Sequence, residues 1–200
     1  MGETAKVLCP DKKVLVPDMA AGCSLADSCP ADEFAQFVKE HPEYTVISYV
    51  NTTAAVKAVT DVVVTSTNAR QIVESFPKDE KIIFGPDRNL GNYINSVTGR
   101  NMLLWNGACH VHEQFSVEKI VEIKREHPDA VILAHPECKG AVLKLADVVN
   151  MQWPIQRRNT LWLQSRVYCM RCRNNVRIPC LYRHLPKMVL VPAMNVIICG

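Results

Sequence analysis

The sequence predicts an α/β fold built from repeated three-layer αβα, Rossmann-like units with parallel sheets. Three observations predict it. Short β-branched runs alternate with amphipathic stretches as far as residue 150. The runs are apolar on both faces, as strands covered by helices on both sides must be. The chain also repeats itself, because a shift of 86 residues lays Glu40-His41-Pro42 onto Glu126-His127-Pro128 and Asp61-Val62-Val63 onto Asp147-Val148-Val149.

Each element follows from its own pattern. Strands are expected over Lys13–Pro17, Tyr44–Tyr49, Asp61–Thr65, Lys81–Phe84, Asn101–Trp105, Ala130–Ala134 and Ala146–Val149, where Val, Ile and Leu dominate. Helices are expected over Ala31–Glu40, Ala54–Val59, Thr67–Glu74, Val117–Glu126 and Gly140–Leu145, whose apolar residues recur at helical spacing. Ser66 or Thr67 and Ser116 are the expected N-caps, since a hydroxyl oxygen can accept the first free helical N–H groups.

Composition narrows the function classes. The 200 residues are 48% hydrophobic and 22% charged. No apolar run approaches the roughly 20 residues of a membrane-spanning helix. The N-terminal residues Met1-Gly2-Glu3-Thr4-Ala5-Lys6 show no basic segment followed by an apolar one, so a cytoplasmic protein is expected. Nine cysteines form an odd set without a dense disulfide framework, which points to metal, catalysis or buried thiols. The net charge of +3 hides a split: residues 1–150 hold 15 Lys/Arg against 20 Asp/Glu, whereas 151–200 hold 8 and no carboxylate.

The repeat singles out a set of chemically able residues. The 86-residue shift lays Cys23 onto Cys109, Tyr49 onto His135 and Asn51 onto Glu137. In open α/β units ligands bind just beyond the carboxyl ends of strands. Tyr49, Ser66, Cys109, His135 and Glu137 all fall there, although any one of them could be an ordinary strand-end or loop residue. Cys23 and Cys109 each follow a glycine in a loop, where a thiolate can reach a metal, and two thiolates call for at least one further ligand. His135 and Glu137 could form a proton-transfer pair reaching out from one strand end. Ser66 could hold a carboxylate or phosphate at the start of a helix. Cys9, Cys29 and Cys138 have no symmetry mate and read as bystanders.

The segments GETAKVL, GCSLAD, SYVNTTAAVKA, VTSTNA, FGPDRNLGNYI, GACHVHEQF and HPEC occur in this order over about residues 1–150. They resemble the quinolinate synthase family. The resemblance implies three similar αβα units around a pseudo-threefold axis, of which about two are present here, and a central [4Fe–4S] cluster held by one cysteine from each unit. It makes Cys23 and Cys109 two of those ligands, with the remaining iron acting as Lewis acid. Cys138 matches a family cysteine that is not a ligand. The implied substrates are iminoaspartate and dihydroxyacetone phosphate, condensed to quinolinate on the way to NAD, with functional coupling to L-aspartate oxidase. Tyr49, Asn51, Ser66, His135 and Glu137 would line the substrate pocket, with Tyr49, His135 and Glu137 catalytic.

Residues 151–200 depart from the family. A frame displaced by one base is compatible with DGSCACNEC over Lys187 to Val196 and with ESGxLxEMQxxCPD over Ser165 to Ile178, both of which resemble the family's C-terminal region. The expected organisation is therefore a first unit over 1–97 with a remnant of a preceding unit, an incomplete second unit over 98–150, and an out-of-frame tail over 151–200. A family segment before GETAK, a Gly-Ser-Thr loop and the third cysteine are also expected to be missing. On that reading the chain is an inactive fragment without a stable cluster, and neither nucleic acid nor membrane is a partner. The alternative is a non-catalytic protein that binds a small dicarboxylate while its basic tail contacts an acidic partner.

Overall fold

A computed structural model describes residues 2–16, 18, 22–149, 160–163, 188–191 and 196–199. Its helices are α1 (Gly2–Leu8), α2 (Ser24–Asp27), α3 (Ala31–Lys39), α4 (Ala54–Lys57), α5 (Ala69–Ser75), α6 (Arg88–Thr98), α7 (His110–Glu113), α8 (Val117–Glu126) and α9 (Gly140–Leu143). Its strands are β1 (Thr45–Tyr49), β2 (Val62–Val64), β3 (Ile82–Gly85), β4 (Leu103–Leu104), β5 (Val131–Ala134), β6 (Val148–Val149), β7 (Thr160–Leu163), β8 (Met188–Val191) and β9 (Val196–Cys199). The chain divides into two compact units, Met1–His110 and Val111–Gly200.

The first unit carries a four-stranded sheet in the order β2-β1-β3-β4, parallel throughout. The second carries the order β6-β5-β7-β9-β8, in which β5 runs parallel to both its neighbours and β9 antiparallel to both of its own. The fold class is therefore α/β with parallel αβα layering, as the alternating pattern requires.

The 86-residue repeat is a repeat of structure as well as of letters. The helix pairs α2 and α7, α3 and α8, and α4 and α9 begin at that offset, as do the strand pairs β1 and β5 and β2 and β6. The register repeats too: Ile47 stands opposite Val62 as Leu133 stands opposite Val148. In the first unit Cys29, Phe34, Val46 and Val56 share one buried cluster; Phe115, Ile120, Ile132 and Val142 occupy the equivalent places in the second. One polar contact is copied atom for atom. Asp61 Oδ2 accepts the Val46 amide at 2.8 Å, and Asp147 Oδ2 accepts the Ile132 amide at the same distance.

Several local outcomes differ from the sequence pattern. Residues 13–16 form no strand and leave Leu15 90% exposed, because no strand of the first sheet offers them a hydrogen-bonded neighbour; Pro17 lies outside the described residues. Helix α6 was not expected, since its Gly91 and its asparagines are poor helix formers. It forms because Asp87 caps it, Leu90 and Ile94 are buried, and Gly99 ends it at φ +67°, a left-handed conformation that favours glycine. Neither Ser66 nor Thr67 caps α5. Asn68 Oδ1 instead accepts the Thr65 amide at 2.7 Å, closing the loop and starting the helix at Ala69. Ser116 does cap α8, accepting the Lys119 amide at 3.3 Å.

The basic, out-of-frame tail expected over 151–200 lies outside the described residues except for β7, β8 and β9.

The repeated aspartate contact makes a symmetric prediction. Replacing Asp61 or Asp147 by Ala leaves the buried Val46 or Ile132 amide without its acceptor, at a cost of about 1–3 kcal/mol. Urea unfolding and amide exchange at Val46 and Ile132 measure it. Exchange as slow as in wild type would contradict it.

Candidate functional site

In the first unit β1 and β2 place three candidates beyond one sheet edge. Tyr49, opposite Val64 in register, ends β1 and is 4% exposed; Asn51 follows in the loop, and Ser66 lies two residues past β2. The loop that carries Asn51 is tied on both sides. Val50 donates its amide to Val64 O at 2.8 Å, and Thr52 Oγ1 donates to Tyr49 O at 2.9 Å. Lys57 Nζ donates to Val50 O at 3.0 Å and to Thr52 O at 2.6 Å, and burial lowers the pKa of this amine. The Ser66 hydroxyl is buried and has no hydrogen-bond partner among the described residues.

Cys23 occupies the N-cap position of α2 and is exposed. Cys109 holds the equivalent position before α7 and is buried. The loop leading to Cys109 fits tightly. A Cβ on Gly107 would stand 2.6 Å from Ser28 Oγ and 2.8 Å from Ser28 O, so only glycine fits there. The indole of Trp105 donates to the same Ser28 carbonyl at 2.9 Å. Cys29 is a different kind of thiol, pushed up to about 12 by burial and the nearby Glu33 carboxylate, and it stays protonated. Cys138 is fully buried in the second core.

In the second unit a turn follows β5. The Cys138 amide donates to His135 O at 2.9 Å, which closes His135-Pro136-Glu137-Cys138 and directs His135 and Glu137, each 4% exposed, into the interior. The Glu137 amide donates to His135 Nδ1 at 3.2 Å, so the neutral ring carries its proton on Nε2. His112 of α7 joins them, with Nδ1 3.2 Å from Glu137 Oε2 and its ring stacked on His135 at 5.0 Å and 20°. His112 was not a candidate from the sequence. The available signal was the Cys109-x-x-His112 spacing, which brings the two residues to one helical turn.

Cys109 directly precedes α7, within which the boundary between the units falls. Within the second unit, His112 Nδ1 and Glu137 Oε2 stand close together, two atoms of types that can ligate a metal ion. Imidazole suits zinc and iron among other transition metals, and carboxylate oxygen suits harder cations.

Residues 1–159 match the family model described as quinolinate synthetase A protein. Curated quinolinate synthases from Synechocystis sp. and Thermosynechococcus vestitus are each 56% identical over 150 residues, and that of Chloroherpeton thalassium is 54% identical over the same length. The chain belongs to the quinolinate synthase family. Each alignment covers 75% of the chain and 47% of the relative, so the chain spans about half the length of the quinolinate synthases it matches. Among the described residues no helix is long and apolar enough to cross a membrane.

The buried imidazole predicts an acid-sensitive fold. Burial, with the neighbouring His112, lowers the His135 pKa to about 4 against the opposing pull of Glu137. The unfolded chain therefore binds a proton between about pH 6.5 and 4 that the folded chain does not. Stability falls as pH drops through that window, by up to about 3 kcal/mol. Urea midpoints across the window, compared with His135→Asn, measure this contribution. An identical pH dependence in the variant would contradict it.

Proposed function

We propose that the whole protein condenses iminoaspartate with dihydroxyacetone phosphate to give quinolinate, a step of NAD biosynthesis, in the cytoplasm. The observation that carries this reading is the buried His135–Glu137 turn at the carboxyl end of β5, joined by His112, in a chain of the quinolinate synthase family. Such a group is built for proton transfer in a site shielded from water.

The residues divide the work by their chemistry. Ser66, with its buried hydroxyl, and Asn51, on a loop tied down by Lys57, hold substrate carboxylate or phosphate. Tyr49 orients the substrate and assists proton transfer at its phenol. Glu137 takes and returns protons, while His135 anchors and exchanges a proton through Nε2. Cys23 and Cys109, at equivalent helix starts, are the residues that hold an iron–sulfur group through their thiolates. When bound, a [4Fe–4S] cluster supplies a Lewis-acidic iron that polarises substrate oxygens. Functional coupling to L-aspartate oxidase would supply the iminoaspartate.

Anaerobic loading with iron and sulfide, followed by iron analysis and an assay for quinolinate, tests the reading. The chain is expected to retain less iron than a full four-iron cluster requires, and Cys109→Ser less again. In the whole protein Glu137→Gln is expected to lower kcat by at least about 100-fold with iron unchanged. Wild-type iron retention in Cys109→Ser, or full turnover in Glu137→Gln, would overturn the assignment.

A further inference from the structure

Asp87 is a fully buried carboxylate that makes two separate connections. Its Oδ1 accepts the Asn89 amide at 2.6 Å and the Leu90 amide at 3.0 Å, which caps α6. Its Oδ2 accepts the amide of Cys109, 22 residues away, at 2.7 Å. Neighbouring contacts run in parallel: Arg88 donates its amide to Gly107 O at 2.8 Å and its guanidinium to Asn106 Oδ1 at 2.8 Å.

Capping alone does not account for this residue. A helix cap needs one acceptor oxygen, and Ser, Asn and Asp serve about equally well. The second oxygen has a different task. A carboxylate is the side chain that offers acceptors on both branches, whereas an amide presents N–H groups on one of them.

We propose that Asp87 is a positioning residue for Cys109. It fixes the backbone from which the thiol projects, so that a metal or iron–sulfur group meets its sulfur ligand already in place. Preorganised ligands of this kind hold a metal more tightly than ligands on a free loop. The inference rests on the proposed ligand role of Cys109, and its test separates the two.

Asp87→Asn is the informative variant because it preserves shape and cap while turning a donor toward the Cys109 amide. Asp87→Ser keeps a cap with a single acceptor and serves as the second variant. In the chain without added metal, amide exchange and alkylation of each cysteine are followed by mass spectrometry, and the Cys109 amide by NMR. Both variants are expected to speed exchange at Cys109 and its alkylation by about tenfold or more and to shift its amide proton upfield. Asn89 and Leu90 amides and the buried thiols of Cys29 and Cys138 should remain as in wild type. Unchanged Cys109 exchange, or equal acceleration at Cys29 and Cys138, would overturn the positioning role. A failed ligand role shows elsewhere, as undiminished iron in Cys109→Ser, and would overturn the functional meaning assigned to Asp87.

Discussion

A carboxylate that reaches back to the amide of a neighbouring strand is the contact on which both units depend. Asp61 closes β2 onto β1, and Asp147 closes β6 onto β5, through the same oxygen at the same distance. Each aspartate also donates its own amide to the strand residue it grips, Val46 or Ile132. The pair of bonds locks register, and register decides which side chains face the core. Val46 and Ile132 thereby reach equivalent places in the two buried clusters, and the strand ends that follow fall at equivalent points.

That shared frame presents different chemistry in its two copies. Where the first has Tyr49 and Asn51, a phenol and an amide, the second has His135 and Glu137, an imidazole and a carboxyl group. Burial keeps the imidazole of the second copy uncharged well below the usual range. Cys23 and Cys109 sit before equivalent four-residue helices, yet one is exposed and the other is buried and held by Asp87.

Much of this was legible in the sequence. Where burial on both faces makes β-branched residues accumulate, as over Thr45–Tyr49, Ile82–Gly85 and Val131–Ala134, the strands appear with ends shifted by a residue. The offset of 86 is legible because Asp61 and Asp147 perform the same side-chain hydrogen-bonding task in the two units. What stayed hidden depends on partners distant in the chain. Helix α6 has weak intrinsic propensity and is set by a buried cap. The Lys13–Val16 run has strand composition but forms no strand among the described residues. His112 looked like one more loop residue until the turn after β5 brought Glu137 against it.

The central claim is that Cys109 provides a sulfur ligand to an iron site of this quinolinate synthase family chain. Iron X-ray absorption of the anaerobically loaded chain reads the ligand atoms directly. A shell of sulfur scatterers that diminishes in Cys109→Ser is the predicted result. A shell of nitrogen and oxygen alone, unchanged by that substitution, would contradict the claim.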